Sequence, residues 1–419
     1  MTDDLSTRSE PKRRFPEFVG RQLRVVRLRD VTAESKTRNG HKLPPTLVMG
    51  VRKVGGIVPM EEGLAASDIS RYKIVHKNWF AYNPMRLNIG SIARWNGDHD
   101  ILVSPDYVVF RCIEEPDQSA FSADYLDKFR HSDQWDAYVN EAGDGGVRVR
   151  IYYDDISQLQ LSLPELAEQQ KIADCLGSLD DLIAPEGRKL EALRQHKQAL
   201  IQQLFPLPGE TVPRLRFPEF RDAGEWEEKR LGDLGTLVSG LTYSPTDVRD
   251  RGLLVLRSSN IQNDEINLAD CVYVQRDVNG ANLTQPDDIL ICVRNGSKSL
   301  IGKNAIVPKG MPVCTHGAFM TVFRASAPHF ARVLLQTRAY QKQVAADLGA
   351  TINSINGNQL LKYRFTVPMP QEQQRIGGCL SSLDEALAAQ SRKVESLRAH
   401  KHGLMQQLFP SLEGAMRDE

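Results

Sequence analysis

One stretch of this chain occurs twice. Residues 168–206 read EQQKIADCLGSLDDLIAPEGRKLEALRQHKQALIQQLFP and residues 372–410 read EQQRIGGCLSSLDEALAAQSRKVESLRAHKHGLMQQLFP, aligned without a gap and identical at more than half of their positions. A match of that length inside one chain marks a duplication. Each copy closes one half of the sequence, so two units that end in the same element are expected. At 419 residues the chain also exceeds what a single hydrophobic core usually supports.

The repeated stretch has the pattern of a helix that pairs. Apolar positions step alternately by four and three through Ile172, Leu176, Leu179, Ile183, Leu190, Leu193, Leu200 and Leu204, with Glu186 and Lys197 as polar layers. The second copy gives Ile376, Leu380, Leu383, Leu387, Val394, Leu397, Leu404 and Leu408, with Gln390 and Lys401. A sustained mean period of 3.5 is a coiled-coil seam. Pro164 and Pro368 stand just ahead, Glu165 and Gln371 open the first turns, and Pro206 and Pro410 stop the helices. Pro185 is expected to break or kink the first copy. Because each seam follows its own domain, antiparallel pairing puts the domains at opposite ends in a pseudo-twofold relation. Counting layers inward then sets Lys197 beside Asp384 and Lys401 beside Asp180. These lysines either bridge to the aspartates and fix the register or snorkel to solvent.

The rest of each half follows a common plan. Residues 1–22 read as a flexible basic arm, polar at 1–14 and without apolar periodicity there. FPEF at Phe15 to Phe18 returns at Phe217 to Phe220, each time behind arginines (Arg13, Arg14; Arg214, Arg216), so the duplication covers whole halves. Leu23 to Val31 and Trp226 to Leu237 each place a strand or short helix at a domain entrance. Short β-rich runs follow at Thr46 to Met49, Tyr72 to Val75, Ile101 to Val103 and Tyr107 to Phe110, then at Leu253 to Leu256, Asp288 to Val293, Asn304 to Val307 and Met320 to Phe323. Helices are expected over Ala123 to Asn140 and His329 to Leu348. The fold class is α+β: two domains (23–163 and 226–370) with irregular, mostly antiparallel sheets, separated by two long helices (164–206 and 371–410) paired as an antiparallel coiled coil. Residues 207–225 read as a linker and 411–419 as a tail.

Net charge is zero, yet charge is segregated. Between Asp68 and Asp98 there is no acid, but Arg71, Lys73, Lys77, Arg86 and Arg94 alternate with Tyr72, Trp79, Tyr82 and Trp95. Between Asp288 and Asp347 there is again none, against Arg294, Lys298, Lys303, Lys309, Arg324, Arg332, Arg338 and Lys342. Stretches of this kind suit a polyanion, because lysine and arginine neutralise phosphates that acids would repel. Inside them lie polar loops suited to base edges: Arg86, Asn88, Ser91, Arg94 and Asn96 in one, Arg294, Asn295, Ser297, Lys298 and Lys303 in the other. Ser258, Ser259, Asn260, Arg148, Arg150, Thr351 and Asn353 complete the candidate DNA-contacting set. For any one of them a phosphate or structural contact is the more common role.

Catalytic signatures are missing. There is no GxGxxG or GxxxxGK[ST] loop, no convincing carboxylate cluster and no Asn-Pro-Pro-aromatic run, of which Asn83-Pro84-Met85 is the nearest approach. The six cysteines form no CxxC pair and no zinc spacing, and His196 and His400 are equivalent positions on the repeat. A hydrophobic share of 41% with no long apolar run or signal peptide points to a cytoplasmic protein with no membrane partner.

Two divergent basic domains, each closed by a copied EQQ-x-I…L…LD…L…K…L…QLF helix, resemble the specificity subunit of type I restriction-modification systems. The resemblance also runs through WEEKRLGDLG (Trp226 to Gly235), SLPELAEQQKI (Ser162 to Ile172), VPMPQEQQRI (Val367 to Ile376), YNPMRLNIGSIA (Tyr82 to Ala93) and VSPDYVVF (Val103 to Phe110). The first domain's entrance, Arg24 to Val31, lacks the Trp and Gly of the second. This resemblance implies a non-catalytic subunit whose two target-recognition domains each read half of a split, asymmetric site in double-stranded DNA. It implies that the helices act as a ruler and dock two methyltransferase subunits, which bind S-adenosylmethionine and methylate adenine. Restriction endonuclease subunits using ATP and magnesium would join them, with no cofactor or metal on this chain. A helix of about 40 residues is roughly 60 Å long, which spans half-sites one to two DNA turns apart. A solitary DNA-binding protein, repressor or architectural, is the alternative; an enzyme with an unrecognised site is a third class.

Overall fold

The computed structural model describes residues 10–60, 68–113, 121–142, 150–207, 209–348 and 353–410. The chain divides into two compact units, residues 1–187 with 393–419 and residues 188–392. Two helices of 39 residues each, α1 (Leu166–Leu204) and α2 (Pro370–Leu408), contribute to both units. Each unit is thus a domain together with the opening of its own helix and the close of the other, rather than a domain followed by a separate coil.

The first unit begins and ends its domain in one ribbon. Arg24–Arg27 pairs antiparallel with Gln160–Leu163, so the strand that starts the domain lies against the strand that leads into α1. LRDV forms one helical turn, Leu28–Val31, which buries Leu28 and Val31 and is closed by Asp30 accepting from the Arg27 amide at 2.8 Å. The chain then builds an antiparallel sheet from β1 (Thr32–Ser35), β2 (Phe80–Tyr82), β3 (Ile92–Arg94) and β4 (Val108–Cys112), in the order β1-β4-β2-β3. The two-residue period sends Phe80, Tyr82, Ile92 and Phe110 to the face that meets the helices and Ala81, Ala93 and Val109 to the other. Both faces are covered around β4, which is why Val108–Cys112 opens as an apolar run.

The second unit repeats this frame. Glu227–Arg230 pairs with Arg364–Val367, LGDL makes the turn Leu231–Leu234, and β5 (Gly235–Ser239), β6 (Ile289–Cys292), β7 (Asn304–Ile306) and β8 (Met320–Ala325) form a sheet in the order β5-β8-β6-β7. Thr32 faces Cys112 as Gly235 faces Ala325, so the registers correspond. Gly235 is needed because a Cβ there would meet the Arg324 carbonyl oxygen at 2.4 Å. In the first unit Thr32 fits, its hydroxyl donating to the Leu28 carbonyl at 2.7 Å. The missing Trp and Gly at the first entrance therefore leave the strand-turn-strand pattern unchanged. Beyond the common sheet the units diverge: the first adds the pair Lys73–Val75 and Ile101–Val103, the second a four-stranded sheet with one parallel pairing, Leu253–Leu256 beside Cys314–His316.

Several expectations are corrected. The helix expected over Ala123 to Asn140 is two, Ala123–Phe129 and Asp133–Glu141, because the Ser132 hydroxyl caps the second by accepting from the Trp135 amide. The helix expected over His329 to Leu348 is likewise Pro328–Leu334 and Arg338–Asp347, restarted by Thr337. Thr46 to Met49 is mostly a 3-10 turn, Pro45–Leu47, ahead of the strand Met49–Arg52. Pro185 does not break α1: it lies exposed inside the continuous helix, where water can supply the one backbone bond it forgoes.

From Arg13 onward the basic arm is docked, the Arg13 amide donating to the Gln407 carbonyl at 2.9 Å. Arg14 Nε and Nη2 donate to both carboxylate oxygens of Glu168 at 2.8 and 2.7 Å, and its Nη1 reaches the Arg21 carbonyl. Arg216 does the same with Glu372, at 2.8 Å twice, and reaches the Ala223 carbonyl. Glu17 pairs with Lys171, which lies over the Phe15 ring; Glu219 pairs with Arg375, which lies over the Phe217 ring. Gln169 and Gln373 close the helix openings by donating to the Pro164 and Pro368 carbonyls. The repeated FPEF and EQQ motifs are thus two sides of one latch, and the segment expected as a linker carries half of the second. The ten apolar-or-polar seam positions of each helix are all buried or half-buried. In the first unit Lys401 Nζ lies 2.5 Å from Asp180 and Lys393 Nζ 2.5 Å from Glu186; in the second Lys197 Nζ lies 2.5 Å from Asp384.

Candidate nucleic-acid interface

In the first unit the loop 83–91 leaves β2 and returns into β3. Asn83 shapes its start by accepting from the Met85 amide, and the Ser91 amide donates to the Arg86 carbonyl across the base. Leu87 plugs inward and Gly90 takes φ +89°, a left-handed turn residue. Met85, Arg86, Asn88 and Ile89 are left facing solvent. The Ile151 amide donates to the Pro84 carbonyl at 3.0 Å, which brings exposed Arg150 beside the loop. Arg148 lies outside the described residues.

In the second unit the loop 293–303 connects β6 and β7, the same place in the sheet, and Gly302 turns it at φ +84° as Gly90 does. The Ile355 amide donates to the Val293 carbonyl at 2.8 Å, the counterpart of the Ile151 contact. Asn295 Nδ2 donates to the Ser258 hydroxyl at 2.9 Å, and Asn353 Nδ2 to the Gly296 carbonyl at 3.0 Å. Ser258, Asn295 and Asn353, distant in sequence, therefore meet at one spot. Arg294, Ser297, Lys298, Lys303 and Ser259 are exposed around it. Thr351 is outside the described residues.

The structure withdraws some candidates. Ser91 is buried, its hydroxyl donating to the Val51 carbonyl at 2.9 Å. Arg94 is mostly buried and bound to Asp124 at 2.7 Å, with Asp127 at 4.0 Å. Asn260 is fully buried and spends its amide on the Asn267 and Asp270 carbonyls. Their polarity satisfies the interior, and composition cannot separate such a residue from a reader. Asn96 is exposed, on the far side of β3 in sequence from the loop.

The acid-free stretches also resolve into two kinds of cation. Lys73 is buried against the Tyr107 carbonyl, Lys77 pairs with Asp98, Arg324 makes a bidentate pair with Asp288, and Arg332 is buried against Asn304 and the Asp264 carbonyl. Burial holds Lys73 and Arg332 below their ordinary pKa values. By contrast Arg86 and Lys303 have no ion-pair partner among the described residues, and Arg294 stacks on Phe319 at 5.7 Å. Arg86, Arg294 and Lys303 stand at the loops, while Arg71, Lys309, Arg338 and Lys342 are exposed on other segments. Phe319, Met85 and Ile89 are exposed apolar side chains at these loops, and neither charge nor hydrogen-bonding capacity marks them in the sequence.

No group of His, Cys, Asp and Glu able to hold a metal ion occurs among the described residues, and no described helix is long and apolar enough to cross a membrane.

Comparison with known proteins agrees with this geometry. Residues 223–397 match the type I restriction modification DNA specificity domain. The chain is 26% identical over 182 residues to the StySPI specificity subunit of Salmonella potsdam, covering 41% of this chain and 39% of that protein. It is 29% identical over 168 residues to the EcoKI specificity subunit of Escherichia coli K12, covering 38% and 36%. The matched regions are thus less than half the length of these two relatives. A putative MjaX specificity subunit of Methanocaldococcus jannaschii is 27% identical over 83% of this chain and 81% of its own. The crystal structure of a type I S subunit from M. genitalium shares the fold, with a TM-score of 0.58 at 14% identity over 96% of this chain and 99% of that one.

Proposed function

We propose that this chain is the sequence-specific DNA-reading subunit of a type I restriction-modification complex, with two target-recognition domains (residues 23–163 and 226–370) that each read one half of a bipartite, asymmetric target. The observation that carries this reading is the pair of equivalent loops. Two units with one frame present different polar side chains and exposed cations from the same sheet position, as two readers of different half-sites require. The family match to residues 223–397 supports the assignment for the second unit.

In this reading the helical segments 164–206 and 371–410 pair antiparallel as a coiled coil with pseudo-twofold symmetry and set the distance between the half-sites. The order of contacts supports it: in the first unit Asp180 then Glu186 of α1 meet Lys401 then Lys393 of α2, so one numbering rises as the other falls. In the second, Lys197 meets Asp384 while Leu200 and Leu204 share a core with Ile376 and Leu380. Polar layers of this kind fix register. The subunit itself is non-catalytic. Methyltransferase subunits, two in number and carrying S-adenosylmethionine, dock on it, and restriction subunits dependent on ATP and magnesium complete the complex. Localisation in the cytoplasm follows from that role.

Methylome sequencing of cells with and without the gene tests the whole reading. A methylated motif made of two unlike halves around a fixed spacer should vanish with the gene; an unchanged methylome, or loss of a continuous palindromic motif, would overturn it. The purified chain alone, given DNA, S-adenosylmethionine and magnesium, should neither methylate nor cleave.

A further inference from the structure

We propose that Phe319 is a specificity-determining contact of the second unit, placing its ring against the 5-methyl group of a thymine in that unit's half-site; the inference rests on the DNA-reading function above and adds a residue and a base chemistry to it. Phe319 is 57% exposed, and among the described residues of the second unit it is the one exposed aromatic side chain. The ring does not stand alone. Its carbonyl accepts from both the Val293 and Arg294 amides at 3.0 Å, which pins its backbone to the polar loop. The Arg294 guanidinium lies over the ring, its carbon 5.7 Å from the ring centre. The same loop holds Asn295 against Ser258 and, through Gly296, Asn353.

The neighbourhood defines the occupant. The Phe319 carbonyl is bonded to the loop that exposes Arg294, Ser297, Lys298 and Lys303, so the ring stands beside a basic, donor-rich segment. A ligand for such a surface carries negative charge and hydrogen-bond acceptors but also one apolar spot. The major-groove edge of DNA offers that combination, because thymine alone among the bases presents a methyl group there beside acceptors. Arg294 over one side of the ring then serves a neighbouring phosphate or guanine edge while the ring meets the methyl.

The test uses the full chain, in the complex it forms, and its own selected target. Each thymine of the second half-site is replaced in turn by deoxyuridine, which removes only the methyl group. Wild-type protein should lose about fourfold in affinity at one position, the effect expected for one buried methyl. Phe319→Ala should bind the thymine target more weakly and show no further loss with deoxyuridine there, with Phe319→Leu intermediate. Its melting midpoint should match wild type because the ring is exposed. If wild type is indifferent to deoxyuridine throughout that half-site, or Phe319→Ala keeps the full deoxyuridine penalty, the assignment to Phe319 falls while the DNA-reading function stands. If wild-type protein selects no target at all, the function itself falls.

Discussion

The loop 83–91 of the first unit and the loop 293–303 of the second leave the same sheet position and turn at equivalent glycines, yet they present different chemistry. The first offers Arg86 and Asn88 flanked by Met85 and Ile89; the second offers Arg294, Lys298 and Lys303 around a clamped Asn295 and an exposed Phe319. A few strands away the two units agree almost atom for atom, with Arg14 on Glu168 and Arg216 on Glu372 at matching distances. The contrast separates two jobs. What must hold the domain to its helix is repeated, and what meets the ligand is free to differ.

If the latch is a common structural device, breaking it should hurt both units alike and hurt most. The arginine and glutamate side chains are 5% and 2% exposed in the first latch and 8% and 1% in the second. Arg14→Ala and Arg216→Ala each leave a buried carboxylate without its guanidinium, which is expected to cost about 3 kcal/mol or more. Chemical denaturation should give similar losses; a large loss for one and none for the other would break the equivalence.

The loops should behave in the opposite way, each variant touching one half-site. Arg294→Ala is expected to weaken binding by about 1–3 kcal/mol through the second half-site and Arg86→Ala by a similar amount through the first, if each reads a base. Changing the half-sites one at a time in a binding assay reads the effect. A uniform loss with a smaller salt slope would reassign that arginine to a phosphate.

Acid should act on the second unit through His316, in the strand Cys314–His316. Burial lowers the pKa of this imidazole, against the upward pull of its bond to the Val238 carbonyl and of the Asp288 charge. The folded side chain then stays neutral while the unfolded one protonates near pH 6.5, so unfolding takes up a proton and stability falls as pH drops through and below that value. The free energy of unfolding read from urea denaturation should fall between pH 7.5 and 5.5 in wild type and less so in His316→Gln.

The smallest difference is expected in the helices. Asp180 is held by both Lys401 and Lys128, whereas among the described residues Asp384 is held by Lys197 alone. Burial pushes the Asp180 pKa up, but the two lysine bonds outweigh it and the net shift is down. Lys401→Ala should therefore cost less than Lys197→Ala, both about 1 kcal/mol or less because the aspartates are partly exposed. A larger cost for Lys401→Ala would mean that Lys128 does not substitute.

Much of this was legible in the sequence for physical reasons. The 3.5-residue period fixes a helix face without reference to any partner, and Lys197 with Asp384 followed from counting layers. Apolar runs marked the central strands Val108–Cys112, Ile289–Cys292 and Met320–Ala325, whose neighbours cover both faces, but not the three-residue central strand Phe80–Tyr82. The latch was half visible: FPEF behind arginines and EQQ at the helix start both recur, but their pairing joins residues more than 150 apart. The loop residues were hardest, because Ser91, Arg94 and Asn260 have the composition of base readers and the surroundings of structural groups. Only the neighbours decide that, and neighbours are set by the fold.

The central claim is that each unit reads its own half of the target from the loop at the common sheet position. Selecting targets from random duplex DNA, with wild type and with a chain whose loop 293–303 is replaced by an unrelated loop of equal length, tests it most directly. The selected second half-site should change or lose its sequence while the first half-site and the spacer stay as in wild type. A changed first half-site, or an unchanged second one, would contradict it.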